Sequence, residues 1–338
     1  MPKSNITKIL VVGPSWVGDM VMAQSLFITL KQADPHCQID VLAPAWTFSL
    51  LERMPEVATA IPMPLKRGQF GLINRIKLGR QLRSAGYDQA ILLPNSWKSA
   101  LIPFFADIPR RTGYIGECRW GLLNDARKLD KKRLTMTVQR FVALGLPKAA
   151  VLPPAYPAPR IMIGPDRQRV IEKFNLTRSE KILALCPGAE YGPAKRWSAG
   201  YYAEVARQKI AQGWQVWLFG SDKDKDVAEV INQEAGRLCT DFSGRTSLAE
   251  AVDLLSLAST VVTNDSGLMH VAAALDRKVI AIYGSSDPGF TPPLNKKAQV
   301  VSLNLDCAPC FKRDCPLGHT RCLTEIRPDQ VLDLIAAD

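Results

Sequence analysis

The amino-acid sequence predicts two doubly wound α/β domains, and three observations support this fold class. Short β-rich runs alternate with longer amphipathic stretches, as in parallel sheets covered by helices. The chain has 338 residues, so it exceeds the size at which one hydrophobic core keeps growing. Residues 153–159 include four prolines and have the composition of a semi-rigid linker. We therefore expect an N-terminal domain over 1–158, a C-terminal domain over 159–327, and a helix over 328–338 that packs back on the first domain.

In each half, runs of β-branched and aliphatic residues predict strands, and apolar residues at helical spacing predict the helices between them. In the first half, the predicted strands are 8–12, 38–42 and 89–93, with helices over 21–31 and 73–84. In the second half, the predicted strands are 182–186, 215–219, 260–263 and 279–283, with helices over 199–212, 225–235, 248–258 and 268–275. This alternation favours two α/β domains over an α+β fold.

The composition excludes several classes of protein. The chain is 47% hydrophobic and 22% charged, and it contains no apolar tract of about 18 residues, so we expect no membrane-spanning helix. No leader with a cleavage site is visible near the first residue. Without a secretory context, the eight cysteines are expected to be reduced thiols in the cytosol.

The net charge of +11 lies entirely in the first half of the chain. Residues 1–158 hold 21 Lys and Arg against 10 Asp and Glu, whereas residues 159–338 hold 22 of each kind. Residues 57–87 contain six basic residues and no acidic residue. Such a one-sided field attracts polyanions, and a solvated helix face is the alternative interpretation. Nucleic acid is a rival partner, but no recognised nucleic-acid-binding motif accompanies the charge.

Two strand-to-helix turns carry polar residues where ligands meet an open parallel sheet, beyond the carboxyl ends of its strands. The first turn, GPSWVGD at 13–19, places a carboxylate where a helix begins. The second turn, NDSGLMH at 264–270, opens a helix whose first N–H groups suit a phosphate. We therefore interpret the first turn as the position of a base and the second as a nucleotide site.

Two further loops follow predicted strands in the second half. The loop PGAEYGPAKRW at 187–197 carries Lys195, which is placed to neutralise phosphate. The loop FGSDKD at 219–224 ends with carboxylates that either accept from ribose hydroxyls or cap the next helix. Neither strand-to-helix turn matches the G-x-G-x-x-G fingerprint and no P-loop pattern occurs, so a nucleotide must be held in another way.

Together, these segments resemble the ADP-heptose:lipopolysaccharide heptosyltransferases. The resemblance rests on GPSWVGD, PGAEYGPAKRW and TNDSGLMH, with LPNSWKS at 93–99 and YGSSDP at 283–288, and it extends over nearly the whole chain. It implies a GT-B glycosyltransferase, in which two Rossmann-like domains face each other across a cleft that holds the active site. The implied reaction is inverting, metal-independent transfer of L-glycero-D-manno-heptose from ADP-heptose to the first heptose of the lipopolysaccharide inner core.

The resemblance also implies roles for single residues. Asp19 is the expected catalytic base, with a structural helix cap as the alternative. Lys195 is expected to stabilise the departing ADP, and Asp265 to hold donor hydroxyls. We expect His270 to orient phosphate or to pack as a buried polar residue rather than to act as the base. The other expected donor contacts are Ala189, Glu190, Asp224, Thr246, Ser247, Leu248, Ser266, Gly267 and Leu268.

The resemblance also implies a partner for the basic first half, because a lipopolysaccharide core carries phosphates and carboxylates. We expect a cytoplasmic protein, peripherally bound to the inner membrane, whose N-terminal domain binds this acceptor and no nucleic acid. The apolar segment 100–106 either helps the protein rest on lipid or is a buried helix. The expected acceptor contacts are Trp16, Lys66, Arg67, Arg75, Asn95, Lys98, Arg110 and Arg111.

Four cysteines near the end of the chain are not explained by this mechanism. Cys307, Cys310, Cys315 and Cys322, with His319 among them, provide enough soft ligands for tetrahedral zinc. The first spacing suits zinc, but the later spacings fit no standard zinc knuckle. Reduced structural thiols and iron–sulfur ligation are the alternatives. The transferase reaction itself is expected to need no metal and no cofactor.

Other functions share part of this pattern. Another heptosyltransferase of the same family would differ in its acceptor. A sugar-nucleotide epimerase or another GT-B enzyme would share the fold and the phosphate site without needing Asp19 as a base against a lipid acceptor. A noncatalytic polyanion-binding module would use the basic half and ignore nucleotide sugars.

We predict that the basic surface recruits the acceptor. Replacement of Lys66 and Arg67 by Glu should raise the apparent KM for the phosphorylated lipid acceptor and weaken its dependence on salt, because screened attraction is lost. The KM for ADP-heptose should barely change, since the second half carries no net charge. Steady-state kinetics at low and high salt measure both constants. A change confined to the donor, or none at all, would show that these cations only keep the protein soluble.

Overall fold

The computed structural model describes residues 6–65, 69–177 and 179–336, and the chain divides into two compact units. The first unit is Met1–Pro159 and the second is Arg160–Asp338, so the division falls at the end of the proline-rich stretch. Each unit contains a six-stranded sheet in which neighbouring strands are parallel. The predicted fold class, with two Rossmann-like α/β domains, is confirmed.

The N-terminal unit alternates strands with helices along the chain. Its strands are β1 Lys8–Val12, β2 Gln38–Ala43, β3 Thr59–Pro62, β4 Gln89–Leu92, β5 Arg110–Tyr114 and β6 Asp125–Arg127. Its helices are α1 Val17–Ala33, α2 Phe48–Leu51, α3 Leu72–Leu82, α4 Leu101–Phe105 and α5 Thr137–Gly145. The strands are ordered β3-β2-β1-β4-β5-β6. In the central strand β1, Leu10 and Val11 are fully buried, as expected for a parallel strand covered on both faces.

The C-terminal unit repeats this plan. Its strands are β7 Ile182–Cys186, β8 Gln215–Leu218, β9 Thr240–Asp241, β10 Thr260–Asn264, β11 Lys278–Ile282 and β12 Ala298–Val301. Its helices are α6 Arg167–Lys173, α7 Ala199–Ala211, α8 Lys225–Glu234, α9 Leu248–Leu255, α10 Gly267–Ala274, α11 Arg321–Thr324 and α12 Pro328–Ala336. The strand order is β12-β11-β10-β7-β8-β9, which makes β10 and β7 neighbours at the centre of the sheet.

The terminal helix α12 belongs to the core of the C-terminal unit. Val331 and Ile335 are buried in the same apolar cluster as Tyr202 and Val205 of α7. The expectation that this helix packs back on the first domain stays a prediction, and residues 337–338 lie outside the described residues.

The apolar segment 100–106 contains the helix α4, which is buried on one side and exposes Phe104 on the other. Leu101 and Ile102 of α4 are buried, and α4 packs closely against α3. A Cβ on Gly79 of α3 would lie only 2.6 Å from the Phe105 Cβ, so the contact requires glycine. Within the described ranges, no helix combines the length and the apolar character needed to cross a membrane.

Candidate active site

The loops that follow the strands of a parallel sheet share one edge, because all the strands point the same way. In the C-terminal unit, this carboxyl edge carries the loops after β7, β8, β9 and β10. The structure thereby brings the predicted donor residues to one edge of one sheet. They are Ala189, Glu190, Lys195, Asp224, Thr246, Ser247, Leu248, Asp265, Ser266, Gly267, Leu268 and His270.

An ion pair joins Lys195 and Asp265 at the centre of this edge. Lys195 ends a short 3-10 turn in the loop after β7, and Asp265 directly follows the neighbouring strand β10. Their side chains are only 16% and 5% exposed. The Lys195 Nζ also lies 5.0 Å from the centre of the Tyr191 ring. The predicted cation is therefore present, and it has a carboxylate partner that the sequence analysis did not assign to it.

Asn264, which the sequence analysis did not single out, holds the Lys195 loop at both ends. Its Nδ2 donates to the Pro187 carbonyl at 2.7 Å, and its Oδ1 accepts from the Trp197 amide at 3.0 Å and the Tyr202 hydroxyl at 3.2 Å. The side chain is fully buried. The available signal was an amide at the end of a predicted strand, since a buried polar group needs partners.

Helix α10 presents its first amides at the same edge. Its N-cap residue, Ser266, makes no side-chain capping bond and instead lies 3.2 Å from the Thr263 hydroxyl. His270, in the first turn, is buried, and burial lowers its pKa to about 4, with Asp265 opposing this shift and Lys195 adding to it. The imidazole is therefore neutral at pH 7 and only a weak base. The helix end suits an anion because N–H groups and the helix dipole point outward.

Asp224 takes part in a helix cap with Ser221, and its carboxyl group lies close to the main chain at Gly188. Its Oδ2 accepts from the Ser221 amide at 2.9 Å and the Ser221 hydroxyl at 2.8 Å, so its capping role is present in the structure. Its Oδ1 lies 3.8 Å from the Arg196 guanidinium. A Cβ on Gly188 would lie 2.6 Å from the Asp224 carboxyl carbon, so only glycine fits beside it. A contact with ribose stays a prediction.

Several other predicted donor residues already have partners within the protein. The exposed Glu190 pairs with Lys223 at 2.6 Å. Ser247 caps α9 by accepting from the Glu250 amide at 3.2 Å, and Glu250 bonds back to Ser247. These bonds restrain the loops after β7 and β9, and a donor contact by Glu190 or Ser247 stays a prediction.

The cysteine segment supports the Lys195 loop through its main chain, which the sequence analysis did not foresee. The Arg313 carbonyl accepts from the Ala194 amide at 3.0 Å, and the Phe311 carbonyl accepts from the Tyr191 hydroxyl at 2.7 Å. Both contacts lie within four residues of Lys195 in the loop. The segment between Cys310 and Cys315 is therefore a brace for this loop.

The four thiols of this segment are free. Burial and the neighbouring thiols of Cys307, Cys310 and Cys315 raise the pKa of Cys322. The backbone amide of Thr320 and the amides next to it donate to Cys315 and lower its pKa. Among the described residues, no three His, Cys, Asp or Glu side chains are placed to hold one metal ion. The zinc hypothesis therefore gains no support from this arrangement.

In the N-terminal unit, Asp19 lies in the first turn of α1, just beyond the carboxyl end of β1. The N-cap position is held by Trp16, so Asp19 is the third residue of the helix rather than its cap. The side chain is half-buried. A carboxylate in this first turn is stabilised in its ionised form by the helix dipole, as a base requires.

The predicted acceptor residues are only partly brought together. Asn95 and Lys98 follow β4, so they lie at the same carboxyl edge as Trp16. Arg75 is buried, and its guanidinium donates to the carbonyls of Phe70 at 2.7 Å and Lys98 at 3.1 Å. It therefore joins two segments of this domain instead of facing solvent. Lys66 and Arg67 lie outside the described residues.

Arg110 and Arg111 do not lie at this edge, and their predicted contact with the acceptor stays a prediction. Strand β5 begins at Arg110 and runs parallel to β4, so these residues lie at the opposite, amino edge of the sheet. Arg110 pairs with Asp125 at 3.1 Å. Arg111 donates to the carbonyls of Leu122 and Ile108, both at 2.7 Å.

The sequence analysis also missed Arg119, a buried cation at the carboxyl edge. Its guanidinium donates to the Pro94 carbonyl at 2.9 Å and to the Ser99 hydroxyl at 3.4 Å, and it also bonds the Tyr114 carbonyl. These contacts tie the loop after β4 to the end of β5. Burial lowers the pKa of this guanidinium.

The chain is similar to known heptosyltransferases. Residues 75–321 match the family model described as glycosyltransferase family 9 (heptosyltransferase). Lipopolysaccharide heptosyltransferase 2 of Salmonella typhimurium is 49% identical, over 96% of this chain and 97% of that protein. The Escherichia coli protein of the same name is 47% identical over 98% of both chains. The solved structure of E. coli ADP-heptose lipopolysaccharide heptosyltransferase II matches with a TM-score of 0.88 at 46% identity, over 98% of both chains.

We predict that Asn264→Ala lowers the free energy of unfolding of the C-terminal domain by about 3 kcal/mol, because the Pro187 carbonyl and the Trp197 amide lose their buried partner. Hydrogen exchange of the β7 and β10 amides in the full chain measures this loss. Tyr202→Phe removes one bond to Asn264 and should cost about 1 kcal/mol. Equal, small effects of both variants would contradict the role given to Asn264.

We also predict a pH dependence of stability from His270. Its pKa is about 4 in the folded chain and 6.5 ordinarily, so between these values only the unfolded chain takes up the proton, and stability falls as the pH drops from 6.5 to 4. The loss between pH 7 and pH 5 should be about 2 kcal/mol. Urea unfolding at both pH values measures it. His270→Gln should remove this part of the dependence, and an unchanged slope in that variant would contradict it.

Proposed function

The chain belongs to glycosyltransferase family 9, the heptosyltransferases, and from this we propose that it transfers heptose from ADP-heptose to the first heptose of the lipopolysaccharide inner core. It is a glycosyltransferase of lipopolysaccharide biosynthesis. The observation that carries the proposal is the Lys195–Asp265 ion pair beside the start of α10, held in place by Asn264.

In this proposal the C-terminal domain binds the nucleotide sugar. The diphosphate lies against the first amides of α10, where no side chain of Ser266 competes for them. Lys195 adds a fixed positive charge, and Asp265 offers acceptors to the hydroxyls of the sugar. The buried, neutral His270 donates one hydrogen bond without adding a charge.

The proposed chemistry is a single displacement with inversion. The acceptor hydroxyl attacks the anomeric carbon of the heptose while the bond from that carbon to the diphosphate oxygen breaks. Asp19 takes the proton of the hydroxyl, and ADP leaves with the bonding electrons. The charge that grows on ADP is stabilised by Lys195 and the helix amides, which act more strongly on the transition state than on the bound donor.

We further propose that the reaction needs no metal ion. Lys195 and the amides of α10 supply the positive charge and the donors that a divalent cation would otherwise bring to a diphosphate. The Asp265 carboxylate, which could bind a hard divalent cation, is already paired with Lys195.

The acceptor is proposed to bind at the carboxyl edge of the N-terminal domain. Asn95, Lys98 and Trp16 lie at that edge with Asp19, and the buried guanidinium of Arg119 orders the loop that carries Asn95 and Lys98. The acceptor is a phosphorylated glycolipid in this proposal, so the enzyme works at the cytoplasmic face of the inner membrane. The excess of basic residues in this domain favours such an anionic surface.

The experiment is release of ADP from ADP-heptose with heptosylated Kdo2-lipid A as acceptor, run in EDTA. Asp19→Asn should lower turnover by about 10²–10⁴-fold and leave the affinity for ADP-heptose, measured by calorimetry, nearly unchanged. Asp34→Asn, at the other end of α1, is the matched control and should behave as wild type. Wild-type turnover by the Asp19 variant would exclude Asp19 as the base. No ADP release by the wild-type enzyme would contradict the proposed acceptor, and activity restored only by a divalent cation would contradict metal independence.

A further inference from the structure

The N-terminal domain exposes a group of apolar side chains next to the carboxyl edge of its sheet, where the acceptor is proposed to bind. Phe70 and Trp97 are 42% and 40% exposed, and their ring centres lie 5.1 Å apart. Leu72 and Ile73, at the start of α3, are 39% and 79% exposed. We call Phe70, Leu72, Ile73 and Trp97 the apolar rim. Such a group is unusual on a protein surface that contacts only water.

The buried side chain of Arg75 connects the two segments that form the apolar rim. The buried Arg75 donates to the carbonyls of Phe70 and Lys98, so it ties the start of α3 to the turn that carries Trp97. The two aromatic rings come from segments 27 residues apart in the chain, and this guanidinium bonds to the main chain of both segments. The apolar side chains are therefore presented as one surface rather than as separate loop residues.

The outward face of α3, next to the apolar rim, carries positive charge. Arg75 and Gly79 are buried, and they mark the face of the helix that points into the domain. Ile73, Lys77 and Arg80 recur at the spacing that places them together on the opposite face, and all three are exposed. No acidic residue occurs between positions 57 and 87. One carboxylate, Glu117, lies at the edge of the rim, where it accepts from the Trp97 amide at 3.1 Å.

We propose that the apolar rim, with Lys77 and Arg80 of α3, docks this enzyme on an anionic lipid bilayer. The inference rests on the proposed function, because a glycolipid acceptor keeps its acyl chains in the membrane. Aromatic and aliphatic side chains enter the headgroup boundary, while the neighbouring cations bind acidic headgroups. Within the segment 100–106, which the sequence offered for lipid contact, Leu101 and Ile102 are buried and Phe104 is exposed, so we place the main contact at the start of α3 and at Trp97.

The test is co-sedimentation of the full chain with vesicles of phosphatidylethanolamine and phosphatidylglycerol, compared with phosphatidylcholine vesicles. The wild-type protein should bind the anionic vesicles at low salt and dissociate from them at high salt. Lys77→Gln with Arg80→Gln should weaken binding by more than about tenfold, since each cation near the surface contributes about fivefold. Arg169→Gln with Arg207→Gln, two exposed cations of the C-terminal domain, is the matched control and should change binding less than about twofold.

The apolar contribution has its own pair of variants. Phe70→Ser with Ile73→Ser should weaken binding to anionic vesicles at least about fivefold, because their apolar surface no longer enters the headgroup boundary. Val230→Ser with Leu238→Ser removes similarly exposed apolar side chains, 42% and 66% exposed, from the C-terminal domain and should have little effect. Equal binding by the two double variants, or equal binding of the wild type to both kinds of vesicle, would overturn the proposal.

Kinetics separate this proposal from the proposed function. With acceptor embedded in anionic vesicles, the Phe70/Ile73 variant should show a raised KM, whereas with a deacylated, soluble acceptor it should match the wild type. A raised KM on both acceptors, with vesicle binding intact, would assign the rim to the acceptor sugar and overturn bilayer docking. If the wild type used neither acceptor, the proposed function would fail, and vesicle binding would still decide the role of the rim.

Discussion

Both candidate sites depend on one constraint, the parallel direction of the strands in each sheet. Because the carboxyl ends of β7 and β10 lie side by side, Lys195 and Asp265 form an ion pair although 70 residues separate them. The same constraint keeps Arg110 and Arg111 away from Asn95, since they begin a strand instead of following one. Position relative to a strand end, more than charge, therefore decides which residues belong to a site.

The sequence was sufficient to predict the fold and the loops after β7 and β10, because the buried strands are short runs of aliphatic and β-branched residues. Strand β7 reads Ile-Leu-Ala-Leu-Cys and β10 reads Thr-Val-Val-Thr-Asn, and their carboxyl ends place Lys195 and Asp265. Strand β5 could not be predicted from such a run, since it reads Arg-Arg-Thr-Gly-Tyr. The partners of Asn264 and Arg119 could not be predicted, because they belong to segments far from these residues in the chain.

Buried cations pair with carboxylates at some positions and bond to neutral groups at others, and neither arrangement is confined to one domain, since Arg127 of the N-terminal domain pairs with Asp125 at 3.0 Å. In the C-terminal domain, the ammonium of Lys195 is paired with a carboxylate, so the pair carries no net charge and a bound diphosphate would also rely on the first amides of α10. In the N-terminal domain, the bonds described for Arg75 and Arg119 go to carbonyl and hydroxyl oxygens. These neutral partners leave the positive charge of the guanidinium groups in place, which adds to the field of a domain that already has an excess of cations.

The brace under the Lys195 loop consists of main-chain carbonyls, those of Phe311 and Arg313. A carbonyl is present whichever amino acid occupies the position, so the support does not depend on the side chains of the brace. Natural selection acting through this contact preserves the path and the length of the segment and leaves its composition free to drift. Homologous chains can thus diverge in residue identity here, whereas an insertion or deletion would shift both carbonyls and is expected to be rare.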